Sequence, residues 1–433
     1  MTKVCAFPNG KVMPEDLLNY VRDQFYYLNY DPITGKERLF FDNSGGSLRL
    51  KCADEAFMRV DALPNCHGHG GQTSDYIDSL RDQAVADMRD LFNASEGCIV
   101  TSMTASMINF DVTGYILENV PGTNVVTTEM EHPSAFDGAA VPAAKYGKEL
   151  RVAKADPRTG VIPVENILKL IDQDTCLLSV ILTSNITGGI VDIETLVREA
   201  RKIKPDLYIV CDSVQHTPHG IVDLQKTPLD AVNFAPYKFG GCRGLGCGWL
   251  SERMMNLPHR KVIKDPQSDW ELGGCAPGMY AMLSAMFDYV VSIGKYELPD
   301  ETNRRTLYVK GMEIIELHER ALMYRMLHGS EEVPGLLDIA GVRVPIEMDD
   351  LSRYDLIVPV VFDKIPLHQA SRMYEERGVV VHDRTEASHY SDRQVHAIGE
   401  KGIIRVSPLH CHTYEEVDRF LKITKEMAES AEA

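Results

Sequence analysis

Between about residues 95 and 255 the hydrophobic pattern alternates. Short β-branched runs give way to stretches with helical spacing, and the cycle repeats. The runs predict strands at 98–101, 124–128, 150–153, 177–182, 207–212, 231–234 and 246–250. Several are apolar throughout, as strands buried on both faces are. The segment 192–204 carries acids first and bases last, the order that suits a helix macrodipole. Strands alternating with helices in this way predict an α/β fold with a mainly parallel central sheet.

After about residue 295 the texture changes. A charged helical stretch at 300–326 leads to shorter strand signals near 341–345 and 356–362, and a helix at 414–428 closes the chain. This predicts a smaller α+β lobe over 296–433, beside a large domain over 41–295. Residues 1–40 are expected to pack on the small lobe, because chain termini often lie close together.

A chain of 433 residues is long for a single core, which agrees with two lobes. A net charge of −18 repels phosphate backbones and anionic lipid, so neither nucleic acid nor a membrane is an expected partner. No apolar run approaches the roughly 20 residues that span a bilayer. The start of the chain lacks a signal-peptide core, and a cytoplasmic location is expected. Ten cysteines are scattered with no CxxC pair, the pattern of free thiols in a reducing compartment, and no metal is expected. Asn65-Cys66-His67-Gly68-His69-Gly70-Gly71 crowds its donors too closely for a standard metal site and reads as a loop.

Ligands in open α/β sheets bind beyond the carboxyl ends of the strands. There the run 207–212 ends in Asp212, and the next ends in Ala235-Pro236-Tyr237-Lys238. An acid and a lysine at neighbouring strand ends are what pyridoxal 5′-phosphate (PLP) requires. The lysine forms a Schiff base, and the carboxylate keeps the pyridine nitrogen protonated, so the ring accepts electrons from Cα. Taken singly, Lys238 reads equally as a solvated loop lysine and Asp212 as a helix cap.

Thr101-Ser102-Met103-Thr104-Ala105-Ser106 opens a helix, where free N–H groups suit a phosphate. His132 follows a strand and suits either stacking on an aromatic ring or capping. Asn185 suits either a phenolic oxygen or a turn. Arg405 stands in an apolar run, where burial demands a partner. A substrate carboxylate or a structural ion pair would supply one.

The same residues carry a resemblance. Asp42-Asn43-Ser44-Gly45-Gly46, Thr104, Glu131-His132, Ser184-Asn185, Asp212 through His219, Tyr237-Lys238-Phe239-Gly240-Gly241 and Arg405-Val406-Ser407 stand in an order similar to the class V aminotransferases. These are fold-type I PLP enzymes, and the cysteine-desulfurase-like branch is the most similar. The resemblance implies PLP, a homodimer and a small amino-acid substrate. It makes Lys238 the Schiff-base lysine and Asp212 the partner of the pyridinium. His132 would stack on the ring, while Asn185 and Gln215 would face the phenolic oxygen. Thr104, Ala105 and Tyr237 would serve the phosphate, and Arg405, beside Asn185, the substrate carboxylate.

Three departures stand out. Ala235 and Tyr237 occupy places where relatives often have Ser and His, and Gly274 stands where a threonine commonly reaches the neighbour's phosphate. The stretch 380–404 contains no cysteine to carry sulfur, and Cys411 falls after Arg405. The expected activity is therefore of aminotransferase type at Cα. A C–S lyase, a desulfurase-like enzyme without the loop cysteine, an epimerase and a non-catalytic binding module remain as alternatives. Side-chain selectivity is expected to depend on the loops 66–73 and 384–393.

Overall fold

The computed structural model describes residues 7–64 and 67–431. Asn65 and Cys66, from the loop weighed above for a metal, lie outside that range. So do residues 1–6 of the N-terminal segment.

The strands are β1 (Leu39–Phe40), β2 (Cys98–Ser102), β3 (Asn124–Thr128), β4 (Glu149–Ala153), β5 (Thr175–Ile181), β6 (Tyr208–Asp212), β7 (Ala231–Phe234), β8 (Gly246–Leu250), β9 (Val342–Arg343), β10 (Val358–Phe362), β11 (Val379–Val380), β12 (His382–Thr385) and β13 (Gly402–Val406). Seven form the large sheet, in the order β2-β8-β7-β6-β5-β3-β4. These are the seven strands expected from the sequence, with no end displaced by more than two residues. Every neighbouring pair is parallel except those made by β8, which alone runs the other way. Strands β3, β5, β7 and β8 are buried at every position, which explains why none of them carries a charged residue. The helix Ile193–Ile203 follows β5 and is capped by the Asp192 carboxylate, which accepts from Thr195 N at 3.0 Å.

The smaller lobe is built on an antiparallel sheet, β12-β13-β10-β9. The helix Tyr414–Ser430 covers it and begins with a reciprocal cap between Thr413 and Glu416. Two hydrophobic clusters correspond to the two lobes. The N-terminal segment divides between them instead of packing wholly on the small lobe. Leu17, Leu18 and Val21 join the larger cluster, while Leu39 and Phe41 join the smaller. The long helix Arg304–His328 is also shared: Leu307, Met312 and Ile315 face the first core, and Leu322, Met326 and Leu327 the second.

Buried ion pairs stitch the lobes together. His216 Nδ1 meets Asp355 Oδ2 at 3.0 Å, just before β10. His219 Nδ1 meets Glu319 Oε2 at 2.7 Å on the long helix, and Glu319 Oε1 accepts from His410 N at 3.1 Å. Burial alone would pull His219 down, but the charge of Glu319 and its hydrogen bond more than offset this and raise the imidazole to about 8. Its folded-state value thus exceeds the ordinary 6.5. The stabilisation is complete below that ordinary value and is lost as pH rises through about 8. Thermal unfolding of the wild type is expected to weaken over this window more than that of His219→Gln. Parallel pH profiles of the two proteins would remove the pair from this account.

Among the described residues no helix is long and apolar enough to cross a membrane.

Candidate active site

The carboxyl ends of β5, β6 and β7, the start of the helix Ala105–Asn119 and the small-lobe strands enclose a cavity of about 570 Å³. Lys238 ends a short 3₁₀ turn that directly follows β7. The turn keeps its amine at the rim of the sheet while the chain reverses into β8. Lys238 is buried, and its Nζ donates a short hydrogen bond to the Ser44 carbonyl. Burial pushes the amine well below the ordinary lysine range. The guanidinium of Arg405 adds to this, Asp42 opposes it, and Arg384 and Arg243 add further repulsion. The result is an amine shifted toward its uncharged, nucleophilic form.

Asp212 closes β6 beside it. Its Oδ1 accepts from Val214 N at 3.0 Å and its Oδ2 from Asn109 Nδ2 at 3.1 Å. Asn109 is held in turn by Asn233 Nδ2, which donates to Asn109 Oδ1 at 2.6 Å. Burial raises the Asp212 carboxyl, the two hydrogen bonds oppose it, and it makes no ion pair among the described residues. A buried carboxylate so placed has room for one cationic hydrogen-bond donor.

His132 caps the helix Pro133–Lys145, and its Nδ1 accepts from Ser134 N at 3.2 Å. The capping alternative is thus part of the structure, yet the ring also lines the cavity. Burial, followed by repulsion from Lys238, lowers its pKa to about 4, so the ring is neutral at physiological pH. Asn185 Oδ1 accepts from Gln394 Nε2 at 2.7 Å, leaving its own amide N–H groups to face a ligand. Gln215 Nε2 donates to Ser44 O at 3.0 Å, leaving its oxygen.

Thr104 uses its hydroxyl oxygen to cap Met107 N at 3.1 Å. The backbone N–H groups of Ala105 and Ser106 make no hydrogen bond among the described residues, as expected at a helix start. A Cβ on Gly246 would fall 2.3 Å from Ala105 N, so glycine there is what lets β8 approach this end. Tyr237 lines the cavity with the Arg243 guanidinium 4.2 Å over its ring. Ala235 also lines the cavity, whereas Gly274 lies outside it, near Tyr280.

Arg405, on β13, is almost wholly buried. Its Nη2 donates to Asp42 Oδ1 at 2.6 Å and its Nη1 to Asn185 O at 3.1 Å, while its Nε has no partner. The ion pair weighed in the sequence is therefore present, and the side chain lines the cavity as well. Gly45 makes the pair possible, since a Cβ there would lie 2.5 Å from Asp42 Oδ2.

The residues proposed from sequence thus meet around one space: Lys238, Asp212, His132, Asn185, Gln215, Tyr237, Thr104, Ala105 and Arg405 all line it. Sequence reasoning assigned no role to Asn109, Asp42, Ser44 or Arg243, and reached Arg384 and Tyr390 only within the loop 384–393 expected to govern side-chain selectivity. For Asn109 a signal existed, an amide between Ile108 and Phe110 on an apolar helix.

These groups fit PLP. An unpaired buried carboxylate, a buried lysine amine, a neutral imidazole and free N–H groups at a helix start are the complements of its ring nitrogen, aldehyde, ring face and phosphate. The sequence independently matches the family described as Aminotransferase class-V over residues 39–262, just over half of the chain. The chain belongs to the class V aminotransferase family. This class V protein is thereby a PLP-dependent enzyme.

Among the relatives of this class V chain is a probable cysteine desulfurase of Mycoplasma genitalium, 25% identical over 51% of this chain and 54% of its own. The match therefore spans only about half of that relative's length. A cysteine desulfurase of Haloferax volcanii is 28% identical over 84% of each chain. A solved cysteine desulfurase from Thermococcus onnurineus NA1 superposes with a TM-score of 0.78 at 21% identity, covering 97% of this chain and 99% of that one. This likeness establishes the fold, a fold-type I α/β architecture.

Proposed function

We propose that the enzyme acts at the Cα of a small amino acid by aminotransferase-type chemistry. The observation that carries the reading is Lys238, a buried amine that shares one cavity with the buried carboxylate of Asp212. Bound PLP supplies an electron sink conjugated to the substrate Cα. Asp212 holds a proton at the ring nitrogen, and Asn109 and Val214 N fix its orientation. His132 offers a neutral flat face. Arg405 takes the substrate carboxylate, with Asp42 keeping the guanidinium oriented until substrate arrives. With the cofactor bound, Lys238 Nζ would be the group placed to take the Cα proton as general base. Where Lys238 returns that proton separates transamination from epimerisation.

A second reading, elimination of a β-substituent such as sulfur, draws on relatives named cysteine desulfurases. Its desulfurase form, in which sulfur passes to a protein thiol, finds no thiol placed for it among the described residues. Among the described residues no cysteine lines the cavity. Cys411 is fully buried, and burial pushes its thiol well above the ordinary range; burial also raises Cys242.

Turnover of alanine, aspartate, serine and cysteine by the PLP-loaded protein tests the proposal. The expected products are a keto acid and aminated cofactor, with no protein-bound persulfide by mass spectrometry. Ammonia or sulfide with unaltered cofactor would select the lyase. A persulfide on Cys411 or Cys242, lost together with activity on change to serine, would overturn the argument from the missing thiol. We further propose a homodimer, supported by exposed apolar side chains at Met103, Met107 and Phe110 beside the cavity and at Val262 and Ile263.

A further inference from the structure

Three guanidinium groups, those of Arg243, Arg384 and Arg405, line the cavity of a protein whose net charge is −18. Only Arg405 has an anionic partner, Asp42. Arg384 makes no hydrogen bond or ion pair through its guanidinium among the described residues, and its Nε is buried without a partner. A guanidinium nitrogen that has given up water without gaining an acceptor is costly.

The small-lobe sheet fixes where Arg384 points. On β12 Arg384 stands opposite Ile403 of β13, and His382 stands opposite Arg405. Residues directly opposite in an antiparallel pair share a face, as do alternate residues along a strand. Arg384 and Arg405 are therefore diagonal neighbours on one face, and both enter the cavity. They approach from the small lobe, whereas the free N–H groups of Ala105 and Ser106 belong to the large domain. The unpaired guanidinium thus stands on the substrate's side of the cavity, next to the arginine assigned to the α-carboxylate.

We propose that Arg384 determines specificity by binding a second anionic group on the substrate side chain, so that the substrate class is the acidic α-amino acids. The proposal rests on the reading of the cavity as an amino-acid site with Arg405 at the α-carboxylate. A planar fork beside a partly dry wall suits a second carboxylate, which would supply the partner that Arg384 lacks. Its neighbours do not compete for that place. Arg393 is committed to the carbonyls of Glu129 and Glu131 at 3.0 and 2.7 Å, and Arg405 to Asp42.

Two measurements on the PLP-loaded protein test this. Calorimetric titration compares glutarate with butyrate, which differ by the second carboxylate. Steady-state kinetics compares aspartate and glutamate with alanine and serine. The wild type is expected to prefer the dianion in both. Arg384→Gln should lower the acidic-to-neutral ratio of kcat/KM, and of the two binding constants, by roughly tenfold or more. Arg384→Lys, which keeps the charge but loses the fork, should fall between. Equal loss of acidic and neutral ligands in Arg384→Gln would place Arg384 at the α-carboxylate and overturn the proposal. A wild type without preference for the dianion would overturn it too. Binding preference without turnover of any amino acid would uphold Arg384 while removing the reading of the site as a transaminase.

Discussion

Lys238→Ala is expected to fold, to retain some PLP non-covalently, and to lose turnover by more than about 10⁴-fold. Two functions disappear at once: the nucleophile that ties the cofactor to the chain and the base that removes the Cα proton. The wild type should show a visible absorption band that borohydride reduces onto the protein, and the variant should show none. The loss should not be a folding defect. The amine is held by a single hydrogen bond to the Ser44 carbonyl, and one net hydrogen bond contributes about 1 kcal/mol. An alanine variant with normal turnover would remove Lys238 from the mechanism.

Asp212→Asn separates binding from chemistry. The amide retains the shape of the carboxylate between Asn109 and Val214 N but can no longer hold a proton at a ring nitrogen through opposite charge. Cofactor occupancy should fall modestly, since the helix start at Ala105 and the lysine are untouched. Turnover should fall on the order of 10²–10³-fold, the scale of losing one preorganised electrostatic partner. Occupancy and rate measured on the same preparation decide the matter. Full turnover in a loaded variant would count against the assigned role.

The large domain was readable in the sequence because its strands are buried on both faces. A fully buried run with no charged residue, such as β3 or β5, has little alternative in an α/β setting. Asp212 and Lys238 were legible for a related reason: strand ends are where such runs stop, and a polar residue there is conspicuous. The N-terminal segment was harder. Leu17 and Val21 make a helical stripe, but a stripe does not name the surface it will meet, and it meets the larger core. Partner choice was equally hidden. Arg405 announced a buried charge, yet Asp42, its partner, lies 363 residues earlier in the chain. Arg384 sits in a strand of four residues with no fully buried position, too short and polar to stand out from a loop. Its place beside Arg405 is visible only once β12 and β13 are paired.

The reversal of β8 places both ends of the turn between Lys238 and Gly246 on the same rim of the sheet. No crossover helix intervenes, so the sheet itself acts as a ruler. One end of the turn carries Lys238, the proposed anchor, and the other presses against the helix start that offers free N–H groups. The separation of those two points is set by the pairing of β7 with β8 and by the short turn that follows β7. Insertions between Phe239 and Leu245 would lengthen the loop yet leave that separation, and the size of molecule it admits, as they are.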